Sequence, residues 1–211
     1  MTVVRGAAGV LLAGGLASRL GGGDKPLRLI GGRPIIDAVL DRLRPQVDPL
    51  AISANGDPAR FAAYGLPVLP DNGPRGQIGP LAGVLSALIW AADTGTERVL
   101  TVAGDTPFLP KDLVSRLSEA AGTPADRIAV ASSAGRIHPV FALWPVSLAS
   151  DLRLFLTESK TFSVAAFQKR HPSVSVDFPL STAESPTDPF FNINTPDDLA
   201  KANDLAKGLA P

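Results

Sequence analysis

The feature that most constrains this chain's fold is the alternation of two kinds of segment. Apolar runs of strand length are separated by longer segments with helical periodicity, a pattern that builds a mostly parallel sheet with helices on both faces. The run from Gly9 to Ala13 is continuously apolar, as expected for a strand buried on both faces. The sequence therefore predicts an α/β fold in three layers, and at 211 residues we expect one domain spanning 1–211.

The pattern divides the chain into elements whose order can be predicted. The predicted strands are the apolar runs Ala8–Leu12, Leu50–Ala54, Val68–Leu69, Val99–Ala103, Ile128–Ala131 and Val140–Leu143. The predicted helices open near prolines, which suit a first helical turn, and are Pro34–Leu43, Pro58–Tyr64, Leu81–Ala92 and Pro110–Ala120. The last quarter is predicted to hold helices at Ser147–Leu156 and Phe162–Arg170, strands at Val174–Phe178 and Phe190–Asn194, a loop at Pro179–Pro189, and a helix capped by Thr195.

Charge and composition exclude several classes of function. The 20 basic and 20 acidic side chains cancel, so no overall field attracts nucleic acid or an anionic membrane. The sequence has no Cys for disulfides, thiolate nucleophiles or Cys-type zinc sites, and its two His are too few for a His-based metal cage. No segment approaches the ~20 apolar residues that span a bilayer, and the apolar start leads into a charged, Gly-rich stretch rather than a signal-cleavage site. We therefore expect an unprocessed cytoplasmic protein.

The most informative stretch is the glycine-rich segment 12–25, which follows the first predicted strand. Glycines let backbone N–H groups approach phosphate closely. Arg19 offers a bidentate fork and Lys25 a point charge, two complementary ways of neutralising phosphate oxygens. The spacing matches neither the P-loop motif nor the dinucleotide motif G-x-G-x-x-G. It favours another kind of triphosphate loop, with a flexible solvated loop as the alternative.

The spacing L-A-G-G-x-x-x-R-x-G-G-x-D-K of this segment resembles the signature of the molybdenum cofactor guanylyltransferases. Further landmarks follow in that family's order over nearly the whole chain: Asn55, Asp71, residues 79–83, residues 104–108, His138 with Pro139, and residues 192–196. The resemblance implies a Rossmann-like, three-layer nucleotidyltransferase fold. It further implies transfer of GMP from GTP to the phosphate of molybdenum-molybdopterin, with release of pyrophosphate. A molybdenum insertion protein and molybdoenzyme chaperones become candidate partners.

The resemblance also suggests which residues meet the nucleotide. It assigns guanine or ribose contacts to Asn55 and Asp71 together with the backbone of segment 12–14. The glycine loop itself predicts that Gly14, Gly15 and Gly22 lie where the backbone approaches the triphosphate. The nucleotide-binding candidates are Leu12, Ala13, Gly14, Gly15, Lys25, Asn55, Asp71 and Asp105. Guanine presents donors at N1 and N2 and an acceptor at O6, so a carboxylate with a backbone N–H can read it. Ordinary turn residues are the alternative reading of Asn55 and Asp71.

Asp105 follows the apolar run Arg98–Ala103, at the carboxyl end of a predicted central strand, where ligands of open α/β sheets bind. A lone carboxylate there suits Mg²⁺, which completes its coordination with water and phosphate oxygens. A helix N-cap is the alternative role. Since no Cys or Ser–His pair suggests covalent catalysis, we expect direct in-line attack by the acceptor phosphate, assisted by Arg19, Lys25 and Asp105.

The acceptor is less well specified by the sequence. The candidates for its site are Gly22 and the polar residues Arg136, His138, Lys160, Asn192 and Asn194. His138 could equally be a structural histidine. The family often shows a Gly-Glu-Arg-Arg-like stretch where this chain has Thr157–Thr161, which leaves a basic acceptor contact unassigned. The alternatives for function are a cytidylyltransferase of the same kind, a sugar-phosphate nucleotidyltransferase, and a non-catalytic nucleotide-binding adaptor.

Overall fold

The fold is built around its first strand, which lies inside a seven-stranded sheet. The computed structural model describes residues 7–14, 23–71, 73, 79–181 and 187–207. The strands are β1 (Ala7–Leu12), β2 (Leu29–Ile30), β3 (Arg33–Pro34), β4 (Leu50–Ser53), β5 (Val68–Leu69), β6 (Arg98–Ala103), β7 (Ile128–Ser133), β8 (Arg136–Pro145) and β9 (Ser173–Asp177). The helices are α1 (Ile35–Leu43), α2 (Pro80–Asp93), α3 (Leu113–Ala121), α4 (Ala149–Glu158), α5 (Val164–Gln168) and α6 (Pro196–Lys207).

The main sheet has the strand order β5-β4-β1-β6-β8-β7-β9, while β2 and β3 form a small separate hairpin. Four of its six neighbouring pairs are parallel, and β8 runs antiparallel to both of its neighbours. The prediction of a mostly parallel sheet is therefore confirmed. The antiparallel strand arises from a tight β7–β8 hairpin, in which Ala134 and Gly135 have φ values of 47° and 75°.

Two layers of buried side chains cover the two faces of the sheet. Leu11 of β1 packs on the face that carries α1, α3 and α6, whereas Val10 packs on the face that carries α2, α4 and α5. This alternation follows from the two-residue period of a strand, because successive side chains point to opposite faces. The three-layer prediction is confirmed. In the described ranges, no helix combines the length and apolarity needed to cross a bilayer.

Several predicted elements need correction. The strand predicted at Phe190–Asn194 is wrong: the segment has no ladder, and the Ile193 N–H donates to the carbonyl of Asp105, 3.1 Å away. Phe190 and Ile193 are buried as anchors, which explains the strand-like composition. Strand β8 begins four residues before the predicted strand at Val140, and the predicted helix over 58–64 is a 3₁₀ helix.

The start of the last helix, α6, agrees with the prediction in detail. The Thr195 hydroxyl accepts from the Asp198 N–H at 3.1 Å, and Asp198 accepts in return from the Thr195 N–H at 2.9 Å. This reciprocal pairing satisfies N–H groups that the first turn leaves without helical partners. Asp198 also accepts from the Asn194 N–H at 3.0 Å, so the cap fixes the residues just before the helix.

Candidate nucleotide-binding site

A cavity of about 390 Å³ opens at the carboxyl ends of β1, β4 and β6. The chain leaves β1 towards β4 on one side and returns to β6 on the other, and ligands of open α/β sheets bind at such a reversal. Its lining comes from the strand ends, the loops that follow them and the first turn of α2, and consists of Leu12, Gly14, Lys25, Pro26, Ser53, Asn55, Asp71, Gly79, Pro80, Gly83, Ala103, Asp105 and Val140.

Two glycines allow the elements around the cavity to approach closely. A Cβ on Gly83 of α2 would lie 3.0 Å from Ser53 Oγ and 3.0 Å from a methyl group of Leu12. A Cβ on Gly104 would lie 2.8 Å from a methyl group of Leu11, and the Gly104 N–H donates to the Leu12 carbonyl at 2.9 Å. The loop after β6 is therefore held against the end of β1, which fixes the position of the next residue, Asp105.

The side chain of Asp105 forms an ion pair inside this cavity. Lys25 Nζ lies 2.5 Å from Asp105 Oδ2 and 2.5 Å from Asn194 Oδ1, and only 12% of the lysine side chain and 15% of the aspartate side chain are exposed. The N-cap alternative for Asp105 is wrong, because α3 begins at Leu113 and Asp112 occupies its N-cap position. Asp105 instead places a carboxylate beside a cation, at the ligand-binding edge of the sheet.

A second polar pair lies on the cavity lining, after β4 and β5. Asn55 Nδ2 donates to Asp71 Oδ2 at 2.6 Å, and the Asp71 N–H donates to Asn55 Oδ1 at 2.9 Å. The two-point contact fixes the planes of both side chains. One oxygen of the carboxylate, Oδ1, is not engaged in that pair and lies 3.7 Å from the Cβ position built on Gly83. Asp71 therefore brings an acceptor oxygen to the part of the lining next to Gly83.

The backbone at the end of β1 is partly engaged in the sheet. The Ala13 N–H donates to the Ser53 carbonyl at 2.8 Å, and Ala13 is buried. Leu12 and Gly14 lie on the cavity lining, and Gly14 has open space where a Cβ would be. Within segment 12–14, Leu12 and Gly14 therefore lie at the cavity surface.

Of the described residues assigned to the acceptor, none is on the cavity lining. Asn192 Oδ1 accepts from the buried Thr106 hydroxyl at 2.6 Å. His138 is 7% exposed, stacks on Phe190 with ring centroids 4.6 Å apart, and its Nε2 lies 2.7 Å from the Ser133 hydroxyl. These contacts are those of the structural histidine that the sequence left as an alternative.

The charge around His138 and Asp198 shows how the two residues are held. Burial lowers the pKa of His138; the Asp188 carboxylate opposes this shift and the Arg136 cation adds to it. Burial acts to raise the pKa of Asp198, but hydrogen bonds from Asn194 and Thr195 outweigh it and hold the pKa below its usual value. The charged form of Asp198 thus stabilises the cap that carries Asn194. Arg136 and Lys160 are exposed and do not reach the cavity lining.

Comparison with known proteins identifies the family. Residues 9–174 match the model of the MobA-like NTP transferase domain. A molybdenum cofactor guanylyltransferase from Mesorhizobium japonicum is 52% identical over 206 residues, which cover 97% of this chain and 98% of the relative. One from Rhodopseudomonas palustris is 53% identical over 199 residues, which cover 93% and 92% of the two chains. The chain belongs to the molybdenum cofactor guanylyltransferase family.

A solved structure supports the same fold. Molybdopterin-guanine dinucleotide biosynthesis protein A from Archaeoglobus fulgidus superposes with a TM-score of 0.73, at 20% identity, and covers 95% of this chain and 98% of that one. At that level of identity the likeness concerns the fold. The α/β nucleotidyltransferase fold expected from the sequence is therefore confirmed, and the family is one of nucleotidyltransferases.

The cavity lining holds six of the eight predicted nucleotide-binding residues, namely Leu12, Gly14, Lys25, Asn55, Asp71 and Asp105. Asn194 reaches this group through Lys25. Arg19, Gly15 and Gly22 lie outside the described residues. The sequence did not single out Thr106, which orients Asn192. It also did not single out Arg60, which pairs with Asp24 and donates to the Asn55 carbonyl. Neither residue had a local signal, because each acts through partners distant in sequence.

Proposed function

We propose that this chain transfers GMP from GTP to the phosphate of molybdenum-molybdopterin, giving molybdopterin guanine dinucleotide and pyrophosphate. The observation that carries the proposal is that one cavity holds both an Asn55–Asp71 pair and a Lys25–Asp105 pair. The first pair suits a base and the second suits phosphates. The names of relatives that are about half identical over nearly their whole length support guanine and the molybdopterin acceptor.

The guanine end of the nucleotide is assigned to the Asn55–Asp71 pair. The Asp71 oxygen that does not bind Asn55, Oδ1, can accept from N1 or N2 of guanine, while a backbone N–H at the β1 end can donate to O6. Asn55 has both of its polar atoms on Asp71, so its contribution is to orient the carboxylate. This arrangement favours guanine over adenine, which has no donor at N1.

The phosphate end is assigned to Lys25 and Asp105, with Arg19 contributing from outside the described residues. An oxygen of the acceptor phosphate attacks the α-phosphorus of GTP, the bond from that phosphorus to the α,β-bridging oxygen breaks, and pyrophosphate leaves with the electron pair. The attacking phosphate is already ionised at neutral pH, so no general base is needed. Lys25 stabilises the charge that grows on the transferring and departing groups.

We also propose that Mg²⁺ assists at Asp105. The residue fits the ion, because a partly buried carboxylate supplies the hard oxygen that Mg²⁺ prefers, and the nucleotide phosphates and water supply the rest. The bound ion would add positive charge next to the phosphates. Lys25, which now lies on Asp105 Oδ2, would then be displaced towards phosphate oxygens.

The acceptor is proposed to bind Gly22, Asn192 and Asn194, and His138, the fourth residue of the predicted set, is proposed to support them. Support differs among them: Asn194 Oδ1 reaches Lys25 beside the cavity, and Asn192 is oriented by Thr106. His138 is held by Ser133 and Phe190, so its role is to support the segment that carries the two asparagines. The protein would then offer the acceptor amide groups rather than a cluster of basic side chains.

A two-stage experiment tests this function. Thermal unfolding is followed with GTP, CTP, UTP or ATP in the presence of Mg²⁺, because a ligand that binds the folded state raises its stability. Turnover is then measured with molybdenum-molybdopterin by mass spectrometry of the product. We expect the largest shift with GTP and a product carrying GMP. A largest shift and turnover with CTP would show a cytidylyltransferase, and GTP binding without turnover would show an adaptor.

A further inference from the structure

Arg60 lies outside the cavity lining and contacts the backbone segments that carry the two polar pairs. It belongs to the 3₁₀ helix Pro58–Tyr64, and its Nε lies 3.0 Å from Asp24 Oδ2. Its two terminal nitrogens donate to backbone carbonyls, one to Asp57 at 2.9 Å and the other to Asn55. The ring of Phe61 lies under the guanidinium, 4.9 Å from its central carbon.

The partners of Arg60 are immediate neighbours of the residues assigned to GTP. Asp24 precedes Lys25, so the ion pair fixes the backbone from which the phosphate-binding lysine projects. The carbonyl of Asn55 belongs to the residue that orients Asp71. One planar cation thus links the loop after β1 to the loop after β4.

The chemistry of the contact explains why an arginine is found here. A planar guanidinium can direct its two terminal nitrogens at two carbonyls while its charge pairs with a carboxylate, whereas an ammonium acts as a point charge. The side chains of Arg60 and Asp24 are 23% and 29% exposed, so solvent screens this pair only partly. Gly56 keeps the space open, since a Cβ there would lie 2.9 Å from Arg60 Nη1.

We propose that Arg60 is a positioning residue that sets the separation between the phosphate end and the guanine end of the nucleotide site. This inference rests on the proposed function. A nucleotide gains from binding at both ends only if their spacing matches its own length, as for any pair of linked sites. Loss of Arg60 therefore weakens binding of the whole nucleotide while the cavity's direct contacts remain present.

The test is a double-mutant cycle on GTP binding, measured by calorimetry with Mg²⁺ present. We expect Arg60→Gln to raise the Kd by roughly ten-fold at unchanged stoichiometry, and Asp24→Asn to raise it several-fold. In the Arg60→Gln background, Asp24→Asn is expected to cause no further rise in the Kd, because the ion pair is already lost. Arg60→Lys should recover part of the loss, since it keeps the charge on Asp24 but not both carbonyl bonds.

A matched control uses the other arginine bound to the same 3₁₀ helix. Arg44 donates to the Tyr64 carbonyl at 3.0 Å, at the far end of that helix, and Arg44→Gln should leave the Kd unchanged. The inference is overturned if Arg60→Gln keeps the wild-type Kd, if it only lowers the binding-competent fraction, or if Asp24→Asn has the same effect in both backgrounds. Failure of wild-type protein to bind GTP would instead refute the proposed function.

Discussion

The two ends of the site are built in different ways. At the nucleotide end, Lys25, Asn55, Asp71 and Asp105 come from four loops that follow four parallel strands, and they pair with one another across the cavity lining. Parallel strands bring their carboxyl ends to one edge, so the sheet itself assembles these groups. This end is organised by the topology before any ligand binds.

The acceptor end depends instead on one irregular segment, 187–195. Its polar groups are held by contacts with other parts of the chain: Asn192 by Thr106, the Asn194 N–H by Asp198, and Asp188 by the Ser133 hydroxyl at 3.0 Å. Substitutions at the nucleotide end are therefore expected to change turnover and base preference. Substitutions at the acceptor end are expected to act by displacing segment 187–195. The predictions below test that division.

The largest effect is expected at Asp105. Asp105→Asn removes the charge that faces Lys25 and the proposed ion, so turnover should fall by on the order of 10²-fold or more, and raised Mg²⁺ should restore little of it. Steady-state kinetics over a range of Mg²⁺ measure this. The control is Asp112→Asn, an exposed carboxylate at the start of α3, which should behave as wild type. Near-normal turnover of Asp105→Asn at ordinary Mg²⁺ would contradict the assignment.

Lys25 should show a smaller loss of the same kind. Charge on the transferring group grows during the reaction, so Lys25→Ala should lower kcat more than it raises KM for GTP, by about 10²-fold in kcat. Arg19→Ala is expected to follow the same pattern less strongly. Exposed Lys169 supplies the control, as Lys169→Ala. A rise in KM with kcat preserved would mean that the lysine only binds the nucleotide.

Base selection should respond to Asp71. Asp71→Asn keeps the size of the side chain but replaces one acceptor oxygen by a donor, so the preference for GTP over ATP should narrow by roughly ten-fold. Competition binding of the two nucleotides measures the ratio. Asp57→Asn serves as the control, because Asp57 caps the 3₁₀ helix by accepting from the Ala59 N–H at 2.9 Å and lies outside the cavity lining. An unchanged ratio of GTP to ATP affinity in Asp71→Asn would show that other residues recognise the base.

The smallest effect is a pH dependence of stability at His138. Burial lowers its pKa below the ordinary value of 6.5, so the unfolded chain binds a proton more readily than the folded chain. The stability that this neutral histidine contributes is complete above about pH 6.5 and is lost as the pH falls through the folded-state pKa. Denaturant unfolding of His138→Gln between pH 7.5 and 5.5 should therefore show a shallower pH dependence.

His171 supplies the comparison for that measurement, since burial lowers its pKa as well, with Asp151 opposing and Arg170 assisting. His171→Gln should remove its own share of the pH dependence, and the double variant should remove both. His138→Gln could instead leave the pH dependence of unfolding unchanged and lower the affinity for the acceptor. That result would show that His138 binds the acceptor directly rather than supporting segment 187–195.

The sequence predicted the nucleotide end better than the acceptor end for a physical reason. Asp105 follows a continuous apolar run, and such a run with a polar residue at its end indicates both a buried strand and the edge where ligands bind. The β7–β8 hairpin was not predicted, because Ala134 before Gly135 lacks the usual Asn-Gly signal. Segment 190–194 was predicted as a strand from its apolar residues, which instead anchor an irregular segment.

Contacts between residues far apart in the sequence could not be predicted, because they leave no local pattern. Arg60 meets Asp24, and Thr106 meets Asn192, across separations that leave no periodic pattern. Such contacts exist only once the loops have been brought together by the sheet. The single-domain prediction, and the roles of Arg19, Gly15 and Gly22, remain predictions.

The measurement that tests the central claim most directly is a crystal structure with Mg²⁺ and a GTP analogue that cannot be cleaved between the α- and β-phosphates. We predict the guanine edge within hydrogen-bonding distance of Asp71, and the phosphates beside Lys25 and Asp105, with Lys25 moved from the carboxylate to phosphate oxygens. A nucleotide bound in the reverse orientation, or outside the cavity between these two pairs, would contradict the assignment of guanine to Asp71 and of the phosphates to Lys25 and Asp105.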